Sequence, residues 1–471
     1  MHAADRTEHT MDLQPDVEMD PIQRVLRTVD ERGLDYVRCQ FLDFIAVARG
    51  RAIRREYLPR VMEKGLPFAQ VNNTTDIDDL EVDLSYGCQA GDFWAVPDPR
   101  SFVVLPYATA TGHMFTDLVG RDGTPWPTCP RTALRGMAEL VDREIGTVRL
   151  GFEQEGYLLR QEGDTFVPVH HGKHMAAELL DAEDHFLRDL SAVLLGMGIP
   201  LEKLTSEGGL GMFEVNFGAD RPVPSVDQYF RFKQAFRAVA RQHGHMGTFM
   251  PKPIQTTSGA GLHVHLSLVD DASGRDLLAD PSDPQGLGLS HLAYRFIAGL
   301  LTHARAITAI GSPSVNSYKR LQPASFAPTH ITYGVGNRSS LVRVVESRTD
   351  CGPPPIQRLE VRSPDGTCNP YLLGAVLLAA GLDGVRRELN PGPPSVADVG
   401  RLSPDELYDR GIEHLPRSLD RALDGLEEDT VLQEMVGTSL FDLFLKAKRV
   451  EWEKFSAYIT DWEYRQYTEF Y

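Results

Sequence analysis

The sequence predicts an α+β protein in two parts: a small β-rich domain over residues 21–124 and a large domain over 125–471 built on an antiparallel sheet flanked by helices. Three observations predict it. The chain has 471 residues, too many for one ordinary core. Its second part mixes period-two and helical stretches without the regular strand-helix alternation of a doubly wound sheet. Between the two textures lies "GRDGTPWPTCP", a Gly/Pro-rich break near residue 125.

Residues 1–20, "MHAADRTEHTMDLQPDVEMD", are polar and acidic with no apolar core segment, so they read as a disordered tail rather than a signal peptide. Residues 22–107 read as strand-like, with loose alternation in "LDYVRCQFLDFIAVARGRAI" and turn-rich text after it. "PRTALRGMAELVDRE" opens a helix with Pro130 in its first turn. Helical periodicity follows over 175–195, 226–243, 289–310, 370–388 and the run 404–458. Between these helices, "VRLGFEQEGYLLR", "GLGMFEVNFG", "GLHVHLSLV", "SSLVRVVES" and "QRLEVRSP" read as strands.

Composition narrows the class of partner. There are 66 acidic against 48 basic residues, a formal charge of −18, which argues against nucleic acid or an anionic membrane. The apolar stretch "YLLGAVLLAAGL" is too short to span a bilayer and reads as a buried helix. Five cysteines, far apart and without CxxC spacing, read as reduced thiols of a cytoplasmic protein.

Side chains two apart on a strand share a face. Glu153 and Glu155 therefore project together, as do His263, His265 and Ser267, and Arg358, Glu360 and Arg362. Glu207 and Glu214 add two more acids. One such pair is the expected texture of a solvated sheet face. A cluster of four or five acids with one or two imidazoles needs a cation, and hard oxygens with few histidines suit Mg²⁺ or Mn²⁺, two or three per site. The complement is a tract, residues 284–345, without a single Asp or Glu. It contains Lys319, Arg320, Arg338 and Arg343, with Arg358 and Arg362 soon after. Clearing acids from the tract keeps the guanidinium forks free for phosphate or carboxylate. Divalent metals beside arginines are the ground plan of phosphoryl transfer, and neither a P-loop nor a kinase signature occurs.

In order along the chain, "GFEQEGYLL", "EGGLGMFEVNF", "TFMPKP", "GAGLHVHLSL", "NSYKRL", "GNRSSLVRV" and "RLEVRSPDGTCNPYLLGAVLLAAGLDGV" resemble the successive catalytic motifs of the glutamine synthetase family. The resemblance runs from about residue 22 to the end. It implies an N-terminal β-grasp domain, a curved antiparallel catalytic sheet, and a homo-dodecamer of two hexameric rings with active sites between neighbours. It implies ATP as cosubstrate, with Glu155, Glu207 and Glu214 as ligands of one metal and Glu153, His263 and Glu360 as ligands of a second. His265, Ser267, Arg343 and Arg358 fall where the family contacts ATP. Gly259, Arg320 and Arg362 fall where it holds glutamate, and Arg338 lies near the transferring phosphoryl. "TFMPKP" would form a wall of the cleft.

The departures from the family pattern bear on the nucleophile. True glutamine synthetases place a Glu on the flap after the "NSYKRL"-like motif; here that position is Phe326. A second acid of their ammonium pocket comes from an "FDGSS"-like loop, whose counterpart is "LPFAQVNNTTD", with no Asp after Phe68; Asp76 and Asp78 are the substitutes at hand. Met212 and Ser258 replace a usual Gln and Asn. The expected activity is ligation of the γ-carboxylate of glutamate to a small organic amine rather than ammonium, through a γ-glutamyl phosphate. The alternatives are a true glutamine synthetase and a non-catalytic relative. His170, His171 and His174 match no family motif and read as incidental. Tyr408 resembles a tyrosine that some bacterial members carry modified, in a sequence context unlike theirs.

Overall fold

The computed structural model describes residues 19–323, 325–346 and 356–470; the tail expected over 1–20 lies outside them except for its last two residues. Two sheets organise the chain. The N-terminal sheet contains β1 (Tyr36–Leu42), β2 (Ala48–Arg54), β3 (Leu66–Ala69), β4 (Asp92–Pro97), β5 (Val103–Val104) and β6 (Thr111–Val119). Its order is β2-β1-β6-β4-β3, with β5 on β6. The β1–β6 pairing is parallel and the others are antiparallel, a mixed sheet consistent with a β-grasp.

The strand-like reading of residues 22–107 needs correction, because Pro21–Glu31 and Leu58–Lys64 are helices. Asp20 caps the first through Ile22 N at 3.4 Å, and Pro21 occupies its first turn. Ile22, Val25, Leu26 and Val29 then recur at helical spacing and pack with Val37, Phe41 and Phe93. The alternation further along the segment masked this one amphipathic stripe.

The second sheet is larger and curved. It contains β7 (Thr147–Glu162), β8 (Thr165–Pro168), β9 (Leu201–Ser206), β10 (Met212–Phe217), β11 (Met246–Thr248), β12 (Leu262–Val269), β13 (Tyr333–Val335), β14 (Val342–Val344) and β15 (Leu359–Val361). The order is β13-β14-β15-β12-β7-β10-β9, with β8 and β11 also on β7. All pairings are antiparallel apart from β13–β14. The five expected strands are present; the four not expected are short or carry little alternation.

Helices cover the outside of this sheet. Pro222–Gln242 packs on β7, with Tyr229, Phe232 and Phe236 buried beside Phe152 and Phe249. Pro370–Arg386 is buried along almost its whole length and is packed by His291–Thr302 and Pro130–Glu144. Arg131 is 4% exposed and ties the N-terminal sheet to the Pro222–Gln242 helix. It forms a two-pronged contact with Asp227 at 2.9 and 3.1 Å and reaches Asp117 and Asp98 at 2.7 and 2.8 Å. Among the described residues no helix is long and apolar enough to cross a membrane, and the four described cysteines are unpaired thiols; Cys351 lies outside the described residues.

Candidate active site

Register builds the site. Across β10, β7 and β12, Glu214 lies opposite Glu155, Asn216 opposite Glu153, and Glu153 opposite His263. One step along, His265 lies opposite Glu360, and Glu360 opposite Arg343 of β14. Directly opposed residues share a face, so five strands present their polar positions to one concavity.

Glu153, His263 and Glu360 converge: a ligand atom from each lies within 4.8 Å of the others. His263 Nδ1 is 2.8 Å from Glu153 Oε1 and 3.5 Å from Glu360 Oε1. His265 Nε2 is 3.5 Å from the second oxygen of Glu153, which also accepts from Asn216 Nδ2 at 3.1 Å. Burial opposes ionisation of Glu153, but the hydrogen bonds from His263 and His265 outweigh it and hold the carboxyl well below its usual range. Glu360 is fully buried. Burial raises its pKa, yet Arg362 and then His263 bring it down to about 2.

The second acid set is crowded in a different way. Glu155 Oε2 accepts from Gly261 N at 2.7 Å. Glu214 contacts Lys203 Nζ at 3.2 Å, and burial followed by the charge of Glu153 pushes its carboxyl well up. Glu207 is raised by burial and by Glu155. Carboxylates that resist ionising beside one another are short of positive charge. Two carboxylates with one imidazole in the first group fit a hard divalent ion; Glu155, Glu207 and Glu214 offer oxygen donors of the same kind, but among the described residues their ligand atoms do not all come within 4.8 Å of one another.

The arginines divide into two kinds. Arg320, 5% exposed, donates to the carbonyls of Ser363, Pro364 and Arg362 at 2.8, 3.0 and 3.1 Å. It lies under Gly259 and Gly261, where any β-carbon would collide with it. Arg362 donates to Glu360, to Arg338 O at 3.0 Å and to Phe326 O at 3.4 Å. Arg343 donates to Glu360 at 2.7 Å. The expectation that clearing acids leaves these forks free is therefore corrected: backbone carbonyls and Glu360 take the donors of Arg320 and Arg362, and Glu360 takes one donor of Arg343, whose Nε is buried without a partner among the described residues. Arg338 and Arg358 are exposed and without side-chain partners among the described residues. They remain open to an anion. His265 Nδ1 is buried and unpartnered, and Ser267 lies half-buried further along the same face of β12.

Phe326 is 76% exposed and adopts φ +60°, a conformation costly for a bulky residue and most often kept where a loop has work to do. Its carbonyl is fixed by Arg362 while its ring faces outward. Asp76 and Asp78 are both tied to Lys454, at 3.0 and 2.6 Å, and Asp76 also accepts from Asp78 N and Leu80 N. Sequence reasoning set His174 aside, yet its Nε2 lies 3.1 Å from Glu207; the histidine cluster "PVHHGKHM" was the local signal, and nothing in it pointed to Glu207, because the contact joins a loop to a distant strand end. Asn216 was passed over as well, although its place two residues from Glu214 on one strand was a local signal that could have found it.

A curved antiparallel sheet lined by carboxylates, two imidazoles and two open guanidinium groups suits metal-assisted phosphoryl transfer, and the family that the chain matches consists of ATP-dependent ligases of the acid–amine class. The glutamine synthetase catalytic domain family matches residues 127–467. Glutamine synthetase of Halobacterium salinarum is 33% identical over 452 residues, covering 94% of this chain and 96% of its own. That of Mycobacterium tuberculosis is 35% identical over 454 residues, covering 94% and 98%. Among solved structures, a GmaS–ADP complex superposes with a TM-score of 0.83 at 30% identity, covering 94% of this chain and 99% of that one. The chain belongs to the glutamine synthetase family.

Proposed function

We propose that this enzyme joins the γ-carboxylate of glutamate to a small organic amine, preferring a monoamine to ammonium. The observation that carries the reading is Phe326, an exposed aromatic residue where true glutamine synthetases place an acid. Asp76 and Asp78, the substitutes at hand, share the single Lys454 ammonium, which offsets one of their two charges. Stripping water from ammonium needs carboxylates, whereas a ring can pack against the carbon of a larger amine. The structural neighbour GmaS forms a complex with ADP, which supports a nucleotide-dependent reaction. The name glutamine synthetase carried by the curated relatives favours the second reading, ammonium as nucleophile.

In the first step a γ-carboxylate oxygen of glutamate attacks the γ-phosphorus of ATP, and ADP leaves. In the second the amine nitrogen attacks the acyl carbon and loses a proton, and inorganic phosphate departs. Glu155, Glu207 and Glu214 would hold one divalent ion, Mg²⁺ or Mn²⁺, and Glu153, His263 and Glu360 another. Bound there, the ions would screen the charge of the transferring phosphoryl group. Arg338 supplies a free guanidinium for the phosphoryl oxygens, and Arg358, with His265, Ser267 and Arg343, contacts the nucleotide. Arg320 and Arg362 act on glutamate by holding the Gly259–Gly261 backbone and the Phe326 loop in place. The loop must exclude water, because an acyl phosphate otherwise hydrolyses.

The division at residue 125 and the assembly as a dodecamer of two hexameric rings belong to the same proposal. The two separate sheets support the first. Sedimentation of the full chain tests the second.

ATP turnover with glutamate against a panel of amines, ammonium included, tests the chemistry. An alkyl or aryl monoamine should give the highest kcat/KM. Ammonium leading the panel sinks the reading, and a glutamine auxotroph rescued by this gene would point the same way.

A further inference from the structure

Away from the acid and arginine positions described above, residues 45–48 of the β1–β2 turn face the Pro222–Gln242 helix across a cavity of about 530 Å3. Phe230, Phe249 and Met250 give it apolar walls, and Lys233 and Arg237 give it charge. In a chain with a formal charge of −18, no Asp or Glu among the described residues lines it.

Lys233 is 5% exposed. Its Nζ donates to Gly366 O at 2.5 Å and sits 5.3 Å from the ring centre of Phe249 and 5.7 Å from that of Tyr229. The Arg237 guanidinium lies 5.3 Å from the same Phe249 ring. Neither cation has a carboxylate partner among the described residues. An ammonium carries three donors, and one is accounted for. Asp365 is the acid whose charge reaches Lys233, but it does not line the cavity, and Thr367 N binds it at 2.9 Å. Burial, followed by the charge of Arg237, brings Lys233 down to about 8, so the group is still charged at neutral pH.

Two cations sharing one aromatic ring repel each other, and holding one of them out of water without a counter-charge is costly. A carboxylate or phosphate between them would offset both costs. The apolar walls favour an anion carried on a planar or hydrocarbon body. We propose that this cavity is a binding site for a small organic anion, separate from the ATP and glutamate positions. It also gives the "TFMPKP" segment a second face: the Pro251 carbonyl that borders the cavity accepts from Ala260 N at 2.8 Å, next to Gly259.

The test is calorimetric titration of the full chain with phenyl phosphate and with benzoate, with ADP and glutamate present to fill the active site. Wild type should bind at least one of them saturably. Binding of phenyl phosphate alone marks a phosphate ligand, and of benzoate alone a carboxylate. Arg237→Gln should weaken binding by about tenfold or more, the loss expected for one charge-assisted hydrogen bond, while Arg338→Ala leaves it intact. Lys233→Met should weaken it further, read only if thermal unfolding shows a folded protein; Arg237→Gln, at a more accessible position, keeps the test decisive if it does not. Saturable binding of neither probe overturns the proposal, as does binding indifferent to Arg237→Gln or abolished by Arg338→Ala.

Discussion

Replacing Glu360 by Gln separates two roles that one carboxylate combines. Glu360 is fully buried and accepts from Arg343 at 2.7 Å and from Arg362. An amide keeps the shape but places an NH2 group against one guanidinium and removes the negative charge from both. Each charge-assisted hydrogen bond is worth about 1.5–3 kcal/mol, and breaking a buried ion pair costs about 3–5 kcal/mol. One bond survives to the amide oxygen, so the lower half of the second range, about 3–4 kcal/mol, is the expected loss. With an m-value of about 3 kcal/mol/M in urea, the unfolding midpoint should fall by about 1 M. Metal affinity should fall at least by the about 10–100-fold that loss of an outer-shell partner produces, and metal-dependent ATP turnover should fall with it. Glu153→Gln is the companion variant. Its partners are His263, His265 and Asn216 rather than two arginines, so it should lose turnover with a smaller midpoint shift. Urea unfolding followed by circular dichroism and turnover at saturating Mg²⁺ measure both. A Glu360→Gln protein with wild-type midpoint and wild-type metal dependence would refute the claim that this carboxylate neutralises the arginines and binds a cation.

Phe326→Glu should raise kcat/KM for ammonium relative to organic amines; an unchanged ranking across the panel would remove Phe326 as the determinant. Arg338→Ala should lower kcat by about 100–1000-fold, the range for losing one preorganised donor to a developing anion, with Tm unchanged because the side chain has no partner among the described residues. His303 is buried between Asp429 and Asp383, at 2.6 and 3.0 Å, and Asp383 also meets Arg387 at 2.9 Å. Burial lowers its pKa, but the two aspartates outweigh this and raise it. The stabilisation is therefore full below the unfolded value of about 6.5 and is lost as pH rises through the higher folded value. Tm should decline across that window in wild type and decline less in His303→Gln; parallel profiles would exclude His303 as the source.

Much of the site was legible because strand periodicity is local. "GFEQEGYLL" puts Glu153 and Glu155 on one face whatever the rest of the chain does, and "GLHVHLSL" does the same for His263 and His265. The first helix was not legible in the same way. Its apolar stripe is short and runs into strand text, and what settled it was burial against Val37 and Phe41. His174 could not be placed at all from the sequence, since it reaches Glu207 only after the loop folds back.

The sequence by itself determined which residue types could meet: acids with imidazoles for a divalent cation, arginines in a tract without acids for an anion, and Phe326 in place of an acid. Those follow from alternation, charge and motif order, all of which are written along the chain. Only the tertiary structure decided which of them do meet. Register set Glu153 opposite His263 and Glu360 opposite Arg343, and burial determined that Arg320 and Arg362 spend their donors on carbonyls and Glu360 while Arg338 and Arg358 stay open. The physical reason is that a buried charge must find partners within about 3 Å, and which groups lie that close is a property of strand pairing rather than of sequence spacing.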